Sequence, residues 1–464
     1  MTGHRSFASA LVVCLLTLVG VECASAAQPA SDEARDAASD EEFIAWVRAN
    51  LHDSSDFPAL RKMLGAASIV ALGEGLHGSA EPLEFRNRLF QYLVEQDDFT
   101  AIALESGLTE SYVINEYVRG GAGELEAVTA RGITNGLAGF PQQAQLVRWM
   151  REYNQDTRHA RKIEFYGMDL SGFPGSPGAP FDLALSYLQR VDPARAAQLS
   201  ERMAPMLPFL RLDRLAASGK QYSQLPQAQR DAATALIADL LVWFETNEGV
   251  YIRASSARDY ELAYRAAVAT RQMDDYLRQV PVGWTTQQGP QAIMGTVAVS
   301  DRAKLDNIEW IESRPERTGK LLVFTHLAHA APTAVSVQLG TGPATPLPPL
   351  VGTYLKRRYG SQFVTIGHLF AQDATSCGVR RAPASAQSLE GLFASLGKPA
   401  FVLDLRVAPP AVRERLKPIH ALYGQLPVHS LRLDEGVDIV LFTQRATRSV
   451  PCPQMESNVG PKKQ

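Results

Sequence analysis

The sequence predicts an α/β fold, a parallel-sheet core with flanking helices and an inserted helical subdomain. Three observations carry that expectation. Short apolar runs recur at residues 68–72, 100–104, 162–166, 321–325, 363–366, 401–405 and 437–442. Most are continuously apolar instead of alternating, which suits strands covered on both faces of a parallel sheet. Helix-patterned segments separate the runs, giving the βαβ rhythm. Finally, residues 181–297 are rich in Ala, Leu, Gln, Arg and Asp and poor in β-branched runs, which predicts several helices in place of strands.

The elements follow in order. Residues 1–27 read as a secretory signal, with His4 and Arg5, an apolar stretch over 7–21, and the small-x-small pattern Ala24-Ser25-Ala26. Cleavage near Ala26 or Ala27 would leave about 437 residues and a periplasmic or secreted protein. Residues 28–41, rich in Ala, Ser and Asp, are expected to be a disordered lead-in. The first part of the α/β core spans 42–180. Within it, Phe85, Leu89, Leu93 and Val94 mark a helical stripe over 83–96. The second part of the core, 298–450, opens with a helix over 301–313, with Asp301 as its acidic cap and Leu305, Ile308 and Ile311 on one face. The Gly- and Pro-rich loop over 336–350 is long enough to be functional or mobile. Residues 451–464 form a tail. No later stretch reaches the roughly 20 apolar residues of a transmembrane helix.

Composition narrows the function. With 46 Lys+Arg against 49 Asp+Glu, the chain lacks the basic excess that nucleic-acid binding needs. A hydrophobic content of 45% supports a core and argues against disorder. The chain has four cysteines and no CxxC pair for a structural zinc site. Cys14 and Cys23 fall in the signal, so Cys377 and Cys452 remain as a candidate disulfide in an oxidising compartment.

Polar residues gather where the apolar runs end. Residues 68–72 lead into Gly73-Glu74-Gly75-Leu76-His77-Gly78, and 100–104 into Glu105-Ser106-Gly107. The third run ends at Gly167-Met168-Asp169, the fourth at His326-Leu327-Ala328-His329, and the fifth at Gly367-His368. Loops converge outside the carboxyl ends of parallel strands, which is where such sheets bind ligands. Four of the nine histidines fall at these ends, more than composition alone would place there. Taken singly, His368 reads as structural and Asp169 as either a cap or a ligand-binding group.

Gly73-x-Gly75-x-x-Gly78 formally matches the dinucleotide fingerprint. However, Glu74 would repel a pyrophosphate, and Pro82 is expected to delay the helix whose N-terminus should hold it. No G-x-S-x-G elbow occurs, so a hydrolase built on this chain would have to activate water directly. Histidine titrates near working pH and a neighbouring carboxylate fixes its tautomer; His77 with Glu74 and Glu105 supplies those parts.

These residues resemble the erythromycin esterase family. The resemblance rests on Leu72-Gly73-Glu74-Gly75-Leu76-His77-Gly78, Glu81 and Arg86, the strand ending Ala103-Leu104-Glu105-Ser106-Gly107, and Tyr166-Gly167-Met168-Asp169. It continues through Asp301-Arg302, His326-x-x-His329, Tyr354-Leu355, Ser388-Leu389-Glu390 and Leu403-Asp404-Leu405-Arg406. The resemblance implies hydrolysis of a macrolactone or related ester by activated water. His77 would be the general base, Glu74 and Glu105 would orient and polarise it, and Arg86 would stabilise oxyanion charge. His326, His329, Asp169 and Arg302 would contact substrate. The sequence departs from the family at Leu327, where asparagine is usual, which implies loss of a polar contact. The expected partner is a small-molecule ester or lactone, and the family's mechanism implies no cofactor. Two alternatives stay open: a divalent-metal-dependent hydrolase using the same Glu/His cluster, and a non-catalytic binding protein for a small molecule.

Overall fold

The structure is a computed structural model that describes residues 38–450 except 174, 212–214, 281–293, 315–316, 339–341, 376–380 and 425–427. The expected signal, the C-terminal tail, Cys377 and Cys452 lie outside the described residues.

All seven apolar runs are strands of one mixed, mostly parallel sheet. Its order is His52–Asp53, Ala400–Asp404, Ile439–Thr443, Phe363–Phe370, Ile69–Glu74, Lys320–His326, Phe99–Gly107 and Glu164–Asp169. The six strands from Ile439–Thr443 onward are mutually parallel. Ala400–Asp404 runs antiparallel to both of its neighbours, so the sheet is not wholly parallel at that edge. The Ile69–Glu74 and Phe99–Gly107 strands are buried along their whole length, as their unbroken apolar character requires.

Helices cover both faces. Ala80–Gln96 buries Leu83, Phe85, Leu89, Phe90, Leu93 and Val94 against the sheet. It starts before Pro82, contrary to the sequence expectation; in the first helical turn the missing proline N–H has no intrahelical role. Asp40–Asn50 begins inside the expected lead-in, because Ser39 and Glu42 form a reciprocal capping box.

The helical stretch comprises Ala179–Val191, Pro193–Met203, Leu207–Leu210, Leu215–Ser223, Gln227–Ala254 and Ala257–Arg278. These share an apolar cluster of their own that includes Phe181, Leu188, Leu199, Met203, Leu240, Phe244 and Met273. The next helix, Met294–Ser313, returns to the sheet, where Leu305, Ile308 and Ile311 meet Ala71, Ala101, Ala103 and Met168. It therefore starts earlier than expected, and Asp301 sits in its middle and not at its cap.

The segment expected to be a loop over 336–350 contributes two short strands, Ser336–Gln338 and Thr345–Pro346. They join Val428–Arg432 and Ile419–Ala421 in a small antiparallel sheet. Among the described residues no helix is long and apolar enough to cross a membrane.

Candidate active site

Register brings the polar strand ends together. Glu74 pairs with His326 across adjacent parallel strands, and Leu104 pairs with Phe324, which sets Glu105 beside Thr325. On the far side Gly107 pairs with Asp169. The central strands thus deliver Glu74, His326, Glu105 and Asp169 to one end of the sheet, and the turns beyond them add His77 and His329.

Glu74 and His77 form the first unit. His77 Nδ1 lies 2.7 Å from Glu74 Oε1, so the ring donates its Nδ1 proton to the carboxylate and leaves Nε2 as the basic nitrogen. Burial opposes the charged ring, but the Glu74 hydrogen bond and the charges of Glu74 and Glu105 outweigh it and lift the His77 pKa to about 9. Burial in turn pushes the Glu74 carboxyl up.

His326 is in the opposite state. Its Nδ1 accepts the Ala328 backbone N–H at 3.2 Å, capping the short helix Leu327–Ala330, so the neutral ring must carry its proton on Nε2. Burial, together with the positive potential of His429, His77 and His329, holds its pKa well below the ordinary histidine value. The His77 and His326 rings lie 5.1 Å apart between centroids.

Glu105 and His329 form the opposite wall. Glu105 Oε2 accepts the Thr325 hydroxyl at 2.7 Å and the His326 backbone N–H at 3.0 Å, and Oε1 lies 3.7 Å from His329 Nε2. Burial works against ionisation of Glu105, yet the charges of His329, His77 and Lys304 hold its pKa far below the usual carboxylate range. His329 donates from Nδ1 to Asp301 Oδ1 at 2.9 Å, and the same oxygen accepts the Val351 N–H at 2.9 Å. Burial would lower the His329 pKa; Asp301 raises it.

Other residues singled out in the sequence are placed less centrally. Arg86 is fully buried; its guanidinium bonds Asn87 Oδ1 and the Gln142 carbonyl and lies over the Phe324 ring. Its charge reaches Glu74, but it has no surface open to the cleft. Asp169 is also buried, with one oxygen on Lys304 and the other on Asn135. Arg302 lies apart from the cluster, largely exposed and paired with Asp306 Oδ1 at 3.1 Å. His368 is a buried strand residue with Nε2 on Thr443, and burial lowers its pKa to about 3. Leu327 is fully buried and packs against Gly73 and Gly367.

Four residues were missed. Asp301 was read as a cap. Lys304 and Asn135 carry no sequence signal beyond polarity; a helical wheel from Asp301 would have put Lys304 on its face. His429, on the small sheet, places its ring 5.1 Å from that of His326 between centroids. Lys304 also makes a serine–lysine pair with Ser300, Nζ to Oγ 2.9 Å. Asp169, Asp301 and Glu105 overcome burial to keep that ammonium protonated, so it cannot serve as a base for a Ser300 nucleophile.

Among the described residues, Glu74 Oε2, Arg86 Nη1, Asn135 Oδ1 and Asp301 Oδ2 are buried without a hydrogen-bond partner. Buried polar atoms are rarely left so. No three His, Cys, Asp or Glu side chains among the described residues converge as a metal site would require.

Fold and site together define an α/β protein with histidines and carboxylates paired at the carboxyl ends of its parallel strands. The chain belongs to the erythromycin esterase family, whose sequence profile matches residues 94–445. That span contains Glu105, Lys304, His326 and His329, while the Glu74–His77 turn precedes it. The type II erythromycin esterase of Escherichia coli is 26% identical over 315 residues, covering 67% of this chain and 71% of its own. The type I enzyme of Escherichia coli is 23% identical over 322 residues, covering 68% and 74%. Among solved structures, a Bacillus cereus protein matches with a TM-score of 0.70 at 20% identity, covering 89% of this chain and 100% of that one. A mutant of the erythromycin esterase EreC in its open conformation matches with a TM-score of 0.64 at 19% identity, covering 85% and 95%. These structures establish the fold, and the curated relatives support a hydrolase of this family.

Proposed function

We propose that the protein is an exported hydrolase that opens a carboxylic ester or lactone with His77-activated water. One observation carries this reading: two histidines 5.1 Å apart are held in opposite states, His77 on the Glu74 carboxylate and His326 neutral with only its Nε2–H to offer. Neighbouring titratable groups pushed apart in this way divide acid and base roles between them.

His77 Nε2 takes a proton from water, and the resulting hydroxide attacks the carbonyl carbon. The His326 Nε2–H, which a backbone N–H keeps from switching tautomer, donates to the developing oxyanion. As the tetrahedral intermediate collapses, the His77 imidazolium returns its proton to the departing alkoxide. Ester and water become acid and alcohol, and the chain returns to its starting state. Glu105, fixed by Thr325 and the His326 N–H, orients His329 toward the bound group. Arg86 acts from within the core on Glu74 and not on the oxyanion.

The names of the curated relatives make macrolactones the first substrates to try, and the signal-like N-terminus supports export to the periplasm or beyond. The test is incubation of the purified protein with a macrolide panel and simple aryl esters, following a mass gain of one water. The wild type should give the product with a chelator present, and His77→Asn should lose at least about 100-fold in kcat with its melting temperature unchanged. Wild-type rates in His77→Asn would refute the base assignment. Loss of activity on chelation, restored by a divalent ion, would replace it with metal-assisted hydrolysis.

A further inference from the structure

Lys304 is the one lysine in the fully buried set among the described residues. A buried ion pair is often no more stable than well-packed apolar side chains of similar volume, so stability alone gives no reason for a lysine here. Its connections do. Nζ lies 2.9 Å from Asp169 Oδ1 and 2.9 Å from Ser300 Oγ, one turn back on the same helix. The other Asp169 oxygen accepts Asn135 Nδ2 at 3.2 Å, and that same amide nitrogen donates to the Glu105 carbonyl at 3.0 Å. Asn135 sits at φ +62° in the left-handed region, which asparagine enters more readily than most residues, and it is almost fully buried.

The chain of contacts therefore runs from the Met294–Ser313 helix through Asp169 and the Asn135 side chain to the main chain of Glu105. Asp301, on the same helical face as Lys304, holds His329 from the other side. One face of one helix thus sets both Glu105 and His329, whose facing atoms are 3.7 Å apart.

We propose that Lys304 is a positioning residue of the hydrolytic site. Its ammonium locks Asp169, and through Asn135 the main chain at Glu105, so that the Glu105 carboxylate meets Thr325, the His326 backbone and His329 together. The assignment rests on the hydrolytic reading for its kinetic consequence, but its geometric consequence is independent of any substrate.

The test compares the wild type with Lys304→Met and with the double variant Lys304→Met/Asp169→Asn. The double variant removes the buried carboxylate that Lys304→Met alone would strand, so it keeps the comparison open if the single variant does not fold. Three quantities are read: the melting temperature, the kcat and KM for an ester that the wild type turns over, and the ring nitrogen resonances of His329 by NMR. The double variant should melt close to the wild type, lose about 10- to 100-fold in kcat with KM changed by no more than about threefold, and show shifted His329 resonances. A role confined to stability would return kcat along with the melting temperature, and that result overturns the assignment. Unmoved His329 resonances overturn it as well. If the wild type hydrolyses no ester, the functional reading fails by itself, and the His329 resonances alone decide whether Lys304 positions the site.

Discussion

At the scale of single residues, the site separates charge states that would be equal in water. His77 rests as imidazolium at neutral pH: with a pKa of about 9, only about one ring in a hundred is the neutral base at pH 7. The kcat/KM should therefore climb through the neutral range with a midpoint near pH 9 and level off above it. Replacing Glu74 with Gln removes one of the charges that lift the ring and leaves at most a neutral hydrogen bond to Nδ1, while burial still favours the neutral ring. The midpoint should then fall to the ordinary histidine value or below, with a plateau reduced by about 10- to 100-fold. A midpoint that stays near 9 in Glu74→Gln would remove Glu74 from its assigned role. The sequence showed Glu74, His77, Glu105, His326 and His329 because each closes an apolar run and strand ends converge. Asp301, Lys304 and Asn135 were not legible in that way, since they reach the cleft from the side of a helix and from a turn. His429 was hidden further, because it arrives on a short strand with no apolar run to mark it. Asp169 was legible as a polar residue at a strand end, and Arg86 only through the family resemblance, but neither was legible as buried, since burial depends on the elements that close over them.

At the scale of elements, the strand ends meet because glycine lets them. A Cβ on Gly73 would lie 2.7 Å from the Leu327 backbone, which cannot yield as a flexible side chain would. Gly73→Ala should therefore push the His326–Leu327 turn away from Glu74, at a cost of about 1–3 kcal/mol in stability. Because His326 takes its tautomer from that turn, kcat should fall along with it; chemical denaturation and kinetics on the same preparation check both. An alanine variant with wild-type stability and rate would mean that the two strand ends are not held at this separation. The seven long strands could be read from the sequence because burial on both faces leaves an unbroken apolar signature. The four short strands of the small sheet could not, since each is only two to five residues long, and the pairing that joins the two halves of that sheet, Val428–Arg432 with Ser336–Gln338, links segments about 90 residues apart. The middle of the chain read as helices throughout, but where that region ends could not be read. Met294–Ser313 starts inside the stretch read as the helical insertion yet packs on the sheet through Leu305, Ile308 and Ile311.

For the whole molecule, the same ionisations couple stability to pH, and the signs follow from the directions of shift. Glu105 and Asp301 are lowered in the folded state despite their burial, so their contributions are present above the ordinary carboxylate range and are lost as pH falls. His77 and His329 are raised against the pull of burial, so theirs are complete below about 6.5 and, for His77, are lost as pH rises through about 9. The raised carboxyl of Glu74 has the same sign as the histidines. Stability should thus peak between the two limbs, in weakly acidic solution, and decline across the range in which activity is still increasing. The two trends share one cause, since the proton that stabilises the folded His77–Glu74 pair is the one that must leave before His77 can act as a base. Melting temperatures taken from pH 5 to 9.5 beside kcat/KM over the same range test this directly. The wild type should lose thermal stability as it gains rate, and His77→Asn, which has no such proton to lose, should show a shallower alkaline decline. Equal declines in the two proteins would place the coupling elsewhere in the molecule.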